Sequence, residues 1–268
     1  MHPRVAVSGL CFPRLSATET IEAIAGLGAA SASLTGAKVR ESGAGDVLGA
    51  ARRRGVNIVT TTGTLALDLS SGQASAASLG RARADVDLAA AVGARVMYGL
   101  VGPRTTDCWD ACADAYVNAA GELAGYAAGR GVTLAIEPTS WLYADLTFIH
   151  TFHDALLVAP RVGMGICLDA FHVWTEAGLH DEIAAHPGLV AHVQLSDMTR
   201  GSRALPCRAV PGDGDVPLAA VVQWLLEAGY PGVFDCELNG PAIDAIGHHT
   251  AAAQAANWLD KLLKELGA

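Results

Sequence analysis

The chain has 268 residues, of which 51% are hydrophobic and 17% charged, enough apolar material for one large core and too ordered a composition for intrinsic disorder. Its formal net charge is -9 and its one basic cluster is Arg52-Arg53-Arg54. Nucleic-acid binding, which needs a basic face to neutralise phosphates, is therefore not expected.

Further classes fall away on local pattern. No apolar run approaches the roughly 20 residues of a membrane span. Met1 to Phe12 is too short and interrupted for a signal peptide, so a cytoplasmic protein is expected. Cys11, Cys108, Cys112, Cys167, Cys207 and Cys236 include no Cys-x-x-Cys pair and read as free thiols in a reducing compartment.

The first element is a strand over Val5–Phe12. A helix follows at Ser16-Ala17-Thr18-Glu19, a capping-box pattern, with Ile21, Ile24 and Leu27 on one face. From there one junction recurs: an amphipathic or Ala-rich helix, a glycine, then an apolar or β-branched run. The glycines are Gly28, Gly55, Gly93, Gly131, Gly163, Gly188 and Gly229, each placed where a left-handed residue closes a helix before the chain reverses. The Arg52–Arg54 triplet fits the end of one such helix, where cations suit the dipole.

The later strands are expected at Ser31–Thr35, Asn57–Thr62, Arg95–Val101, Val132–Glu137, Gly165–Asp169, Ala191–Ser196 and Val233–Leu238. The last helix, Thr250–Leu266, carries Ala251, Ala255, Leu259, Leu262 and Leu266 on one stripe, with His248-His249 as a surface cap at its start. Eight strands alternating with helices predict a single-domain (β/α)8 TIM barrel over residues 1–268. The doubly wound alternative is weakened because no Gly-x-Gly-x-x-Gly follows the first strand.

Barrels of this type carry their sites at the C-terminal strand ends. The last four strands end in Glu137, Asp169, Gln194 and Glu237, and side-chain alternation puts their bulky neighbours, such as Leu134, Ile136, Ile166, Leu168 and Phe234, on the opposite face. Three carboxylates at one mouth repel one another unless their pKa values rise or a cation sits between them. The hard oxygen set suits one divalent ion, Mn²⁺ or Mg²⁺ before Zn²⁺ or Co²⁺. Asp169 also reads as a helix N-cap, the commoner role for an aspartate after a strand.

The motifs Glu137-Pro138, Leu168-Asp169-Ala170-Phe171-His172, Val193-Gln194-Leu195-Ser196-Asp197, Pro211-Gly212-Asp213-Gly214 and Glu237-Leu238, in this order, resemble the sugar phosphate isomerase/epimerase family with the xylose-isomerase-like barrel, also called AP endonuclease family 2. The resemblance implies that Glu137, Asp169, Gln194 and Glu237 bind one divalent metal and that Glu137 and Glu237 also shuttle a proton. It implies that His172 touches substrate and that Arg200, six residues beyond Gln194, matches a substrate-binding arginine of the ketose epimerases. Many members carry histidine in place of Gln194, and the ketose epimerases have an acid where this chain has Tyr143.

The activity implied is isomerisation or epimerisation of a small carbohydrate through an enediolate. The runner-up is a lyase acting on an inosose- or dehydroshikimate-like keto-polyol. Asp197 is expected to hold a ligand or Arg200 in place, and His192, two residues before Gln194, to sit deeper in the barrel. Arg208 is a candidate for a substrate carboxylate or phosphate, and Trp141 for a wall of the sugar site. A DNA repair endonuclease is disfavoured, since no histidine lies between His2 and His150. A non-catalytic partner subunit is the remaining alternative, and the apolar bias would suit a homodimer.

Overall fold

A computed structural model of the chain describes residues 1–69, 74–106 and 108–268. The alternation resolves into β1 (Val5–Ser8), β2 (Ser31–Thr35), β3 (Asn57–Thr62), β4 (Val96–Gly99), β5 (Thr133–Ile136), β6 (Gly165–Asp169) and β7 (Val190–Leu195). Two short strands follow, β8 (Asp197–Met198) and β9 (Arg208–Ala209), before β10 (Phe234–Cys236). The barrel closes in the order β1-β10-β7-β6-β5-β4-β3-β2, every adjacent pair parallel, while β8 and β9 pair antiparallel with each other outside it. This is the single-domain (β/α)8 barrel that the repeated junctions imply.

All seven junction glycines lie in the left-handed region, with φ between 66° and 84°. Helix starts are capped as the sequence suggests. Ser16 Oγ accepts from Glu19 N at 3.3 Å, and Glu19 Oε2 accepts from Ser16 N at 2.9 Å. Arg52, Arg53 and Arg54 fill the last turn of the helix Ala44–Arg54.

Several boundaries differ from the sequence expectation. Strand β1 stops at Ser8, whose hydroxyl caps a 3₁₀ turn over Gly9–Cys11, and β4 is shorter at both ends than Arg95–Val101. The last helix starts at His248, whose imidazole pairs with Asp244 at 3.0 Å, and its buried stripe uses Leu263, with Leu262 only partly buried and Leu266 exposed.

Apolar side chains divide into two sets. The larger core, including Leu34, Leu134, Ile166, Leu168, Val193 and Phe234, joins barrel to helices. The smaller set is Tyr98, Ala135 and Cys167, the alternate residues of β4, β5 and β6, and therefore faces the barrel axis. All six cysteines are free. Among the described residues no helix is long and apolar enough to cross a membrane.

Candidate active site

The parallel register brings the strand tips together. Asp169 ends β6, opposite Gln194 of β7, and Gln194 in turn pairs with Asp235 of β10. Glu137 and Glu237 lie one residue past β5 and β10, their backbone N–H groups still donating to the Gly99 and Leu195 carbonyls. Side-chain alternation then turns Glu137, Asp169, Gln194 and Glu237 to the inside, and all four are buried. Glu137 and Glu237 line one cavity of about 450 Å³ with Leu10, Thr62, Tyr98 and Leu146.

Arg208 joins this group. The antiparallel pairing of β8 with β9 returns the chain to the mouth after an excursion, setting Met198 opposite Arg208. Its guanidinium donates to Ser196 Oγ and to Asp169 Oδ2, each at 2.7 Å, and reaches Glu237 Oε1 at 3.0 Å. It also lies over the Phe171 ring, 4.5 Å from the centroid. One buried cation is thus shared between two buried carboxylates.

The carboxylates are driven apart in acidity. Burial, then the nearby Glu237 and Asp169 charges, push the Glu137 carboxyl well above the usual range. Burial also pushes Glu237 up to about 7, against the pull of Arg208 and a hydrogen bond from Tyr98. Burial acts the same way on Asp169, but Arg208, His172 and the Phe171 N–H outweigh it and hold that carboxyl below the ordinary aspartate value. Asp169 is also a cap: its Oδ1 accepts from Phe171 N at 3.0 Å at the start of the short helix Ala170–Val173. Cap and site residue are the same aspartate.

Burial lowers His172 to about 4, so its ring is neutral near pH 7. Its Nδ1 accepts from Ser140 N at 3.3 Å, which places the ring hydrogen on Nε2, 3.6 Å from Asp169 Oδ2. In that tautomer His172 is a hydrogen-bond donor to whatever enters the mouth.

The other singled-out residues occupy different places. Gln194 turns its amide nitrogen to Tyr98 Oη at 2.9 Å and to the Glu237 carboxylate, while its oxygen accepts from Cys167 Sγ at 3.1 Å. Coordination through that oxygen needs the amide turned over. His192 sits one layer down, its Nδ1 3.1 Å from Thr60 Oγ1 and its Nε2 3.3 Å from Asp235 Oδ2. Asp197 contacts neither a carboxylate of the mouth nor Arg200. It accepts instead from the backbone N–H groups of Met198, Gly212 and Val216 at 2.8–3.0 Å, tying down the turn that ends in Gly214.

Arg200 is not brought to the site; its side chain is 74% exposed and holds Asp215 at 2.8 Å. Trp141 lies on the loop after β5, 72% exposed. Two inward residues escaped sequence reasoning. Tyr98 donates to Glu237 Oε2 at 3.3 Å and stacks on His192, with centroids 5.6 Å apart. Asp235 accepts from Ser33 Oγ at 2.5 Å beneath the mouth. The signal for Asp235 was present, since it shares a strand face with Glu237 two residues on.

The residues fit a divalent cation. Carboxylate oxygens of Glu137 and Asp169 lie within 4.8 Å of each other, and Glu237 and the Gln194 amide reach the same mouth, a hard oxygen donor set of the kind that holds such an ion.

A closed parallel barrel with an acidic, partly dehydrated mouth defines the class: a (β/α)8 barrel of the kind that works at its C-terminal face. The xylose isomerase-like TIM barrel model matches residues 21–262, and the chain belongs to that family. No curated protein matches the sequence. Among solved structures, protein SMc04130 from Sinorhizobium meliloti 1021 is similar over 98% of both chains, with a TM-score of 0.84 and 21% identity. The IolI protein, described with a binding zinc atom, has a TM-score of 0.83 at 15% identity and covers 98% of this chain and 99% of its own. D-psicose 3-epimerase from Clostridium cellulolyticum H10, solved with D-tagatose, has a TM-score of 0.78 at 14% identity over 98% of this chain and 99% of its own. At these identities the likeness is one of fold.

Proposed function

We propose that the protein is a divalent-metal-dependent isomerase or epimerase of a small sugar, keto-polyol or related carbohydrate. The observation that carries this reading is the pair Glu137 and Glu237, two buried carboxyls on one cavity, flanked by Asp169 and the donor face of His172. Similarity in fold to an epimerase solved with a ketose, and to a zinc-bearing IolI protein, supports it.

Glu137, Asp169 and Glu237 would hold the ion, with Gln194 joining once its amide is turned. Mn²⁺ or Mg²⁺, or Zn²⁺ or Co²⁺ in their place, would supply Lewis acidity beside a substrate carbonyl, easing loss of a proton from the neighbouring carbon. The remaining work belongs to the chain. Glu237, with a carboxyl pushed up to about 7, is suited both to take a proton and to give one near neutral pH. Glu137 is the second proton carrier, His172 donates to a substrate oxygen through Nε2, and Arg208 fixes the Asp169 and Glu237 carboxylates.

A lyase is the second reading, favoured by Glu137: burial and the neighbouring Glu237 and Asp169 charges raise its carboxyl well above the usual range, which suits a group that hands a proton to a departing hydroxyl. The deciding experiment incubates the Mn²⁺-loaded protein with candidate sugars in D₂O. Deuterium at the carbon beside the carbonyl with conserved mass otherwise is the isomerase outcome, lost in Glu237→Gln, and an absorbing enone is the lyase outcome. No metal uptake and no exchange would remove both.

A further inference from the structure

Beside the acidic mouth lies a second cavity of about 520 Å³, and its chemistry is the opposite. Trp141, Tyr143, Phe171 and Trp174 supply its walls, with Met198 and Leu205 completing them. Three segments form it, the loop after β5, the short helix Ala170–Val173 with the residues just after it, and the excursion between β8 and β9. The first is held in shape by its own backbone: Thr139 N donates to Ile149 O at 3.1 Å, Tyr143 N to Ser140 O at 2.9 Å and Leu146 N to Tyr143 O at 2.8 Å. An indole 72% exposed on so well-tied a turn, next to Leu142 at 52% and Leu205 at 53%, costs solvation that an occupant would recover.

His172 stands between the two cavities: it lines this one, packs edge-on against Tyr143 and Phe171, and has a ring nitrogen within 4.8 Å of carboxylate oxygens of Glu137 and Asp169. A molecule held beside Glu137 and Asp169 can therefore continue past His172 into the aromatic walls. Ser140, Thr175, Ser202 and Arg203 share the lining, but its larger part is aromatic and aliphatic, where a buried hydroxyl finds no partner, so the continuation is mainly apolar rather than more polyol. A planar apolar ring fits, since flat rings stack on aromatic faces and a cavity of this volume suits a ligand of small-molecule size. At the rim, the Arg203 guanidinium bonds only to the Ser202 carbonyl among the described residues, at 3.0 Å, and is placed to meet an anionic substituent.

We infer that this cavity takes a planar apolar ring attached to the carbohydrate, so that the substrate is a keto-sugar that keeps its carbonyl and bears the ring on another carbon, such as an aryl glycoside of a keto-sugar, rather than an unsubstituted sugar. The inference rests on the carbohydrate reading of the acidic mouth.

The test measures Kd for phenyl and methyl glycosides of the same sugars by calorimetry, on the Mn²⁺-treated full chain and on Trp141→Ala and Leu205→Gln. Both positions are exposed, so neither change disturbs the core. The phenyl glycoside is expected to bind at least about tenfold tighter than the methyl one, a ratio that falls towards one in both variants. Equal affinities in the unaltered protein would overturn the inference, as would a preference unmoved by both variants. Self-association that both variants abolish, with no phenyl preference, would assign the face to a second copy of the chain and overturn it equally. Manganese uptake in the same titrations tests the mouth separately: uptake with a ratio of one ends only the ring pocket, and a high ratio without uptake ends only the metal-dependent reading.

Discussion

Arg208 donates to Asp169 across 2.7 Å, linking the end of the excursion after β8 to the tip of β6 in a contact almost closed to solvent. Removing one member of such a pair strands the other as an uncompensated charge. Arg208→Met is therefore expected to cost about 3–5 kcal/mol at pH 7 in denaturant unfolding. In the variant, Asp169 and Glu237 gain stability by holding protons, so the loss should be largest at neutral pH and shrink as pH falls towards the ordinary carboxylate range. A loss that does not change with pH would show that shape, not charge, is what Arg208 contributes.

Glu237 sets a second pH dependence. Its carboxyl, pushed up to about 7 in the folded chain, favours the protonated form. That contribution to stability is complete below the unfolded value and is lost as pH rises through about 7. Cation binding needs the ionised form, so Mn²⁺ affinity should rise between pH 6 and 8, roughly the span of that titration, with protons released on binding. Calorimetry in buffers of different ionisation enthalpy reads both quantities. Affinity flat across that range would separate Glu237 from the ion.

Tyr98 offers a finer probe of the same group. Its hydroxyl hydrogen bond holds Glu237 down, against burial. Tyr98→Phe should move the Glu237 titration to higher pH while leaving the ring stacked on His192. The shift can be followed as the midpoint of the pH profile of Mn²⁺ uptake. An unmoved midpoint would make Tyr98 a packing residue only.

Two glycines should respond in opposite directions. A Cβ at Gly214 would lie 2.3 Å from Asp197 Oδ1 and 2.6 Å from the Met198 carbonyl, so Gly214→Ala must displace the turn that Asp197 ties down, at a cost of about 1–3 kcal/mol. Gly121, inside the helix Trp109–Ala128, has nothing within 4 Å of its would-be Cβ. Gly121→Ala should therefore stabilise by about 0.5–1 kcal/mol. Thermal unfolding of both variants checks the contrast.

The barrel was legible because seven helix-to-strand junctions, Gly28 to Gly229, carry a glycine in the left-handed conformation that other residues rarely adopt, and seven such junctions leave few other folds. The convergence of Glu137, Asp169 and Glu237 was legible for a related reason: period-two alternation fixes which way a strand tip points. The arginines were harder. Arg200 stands at the spacing the resemblance favours, yet the backbone turns it out to Asp215, while Arg208 is carried back to the mouth by β9. Nothing in the spacing of Arg200 or Arg208 reports a two-residue antiparallel pairing. The orientation of the Gln194 amide was equally hidden, because it depends on a thiol from β6 and a phenol from β4, neighbours known only in three dimensions.

The β8–β9 pairing also divides labour along the chain. Asp197 grips the backbone at Met198, Gly212 and Val216, and Arg208 is seated on Ser196, Asp169 and Glu237, so both ends of the 199–207 excursion are anchored independently of what lies between. Within that stretch Arg200 adds a tie to Asp215, and the remaining positions are the ones expected to tolerate exchange. The length of the stretch and those side chains can be rewritten to accept a different molecular tail while the charged apparatus beneath keeps its geometry, which makes it the place to begin when retargeting the protein by design.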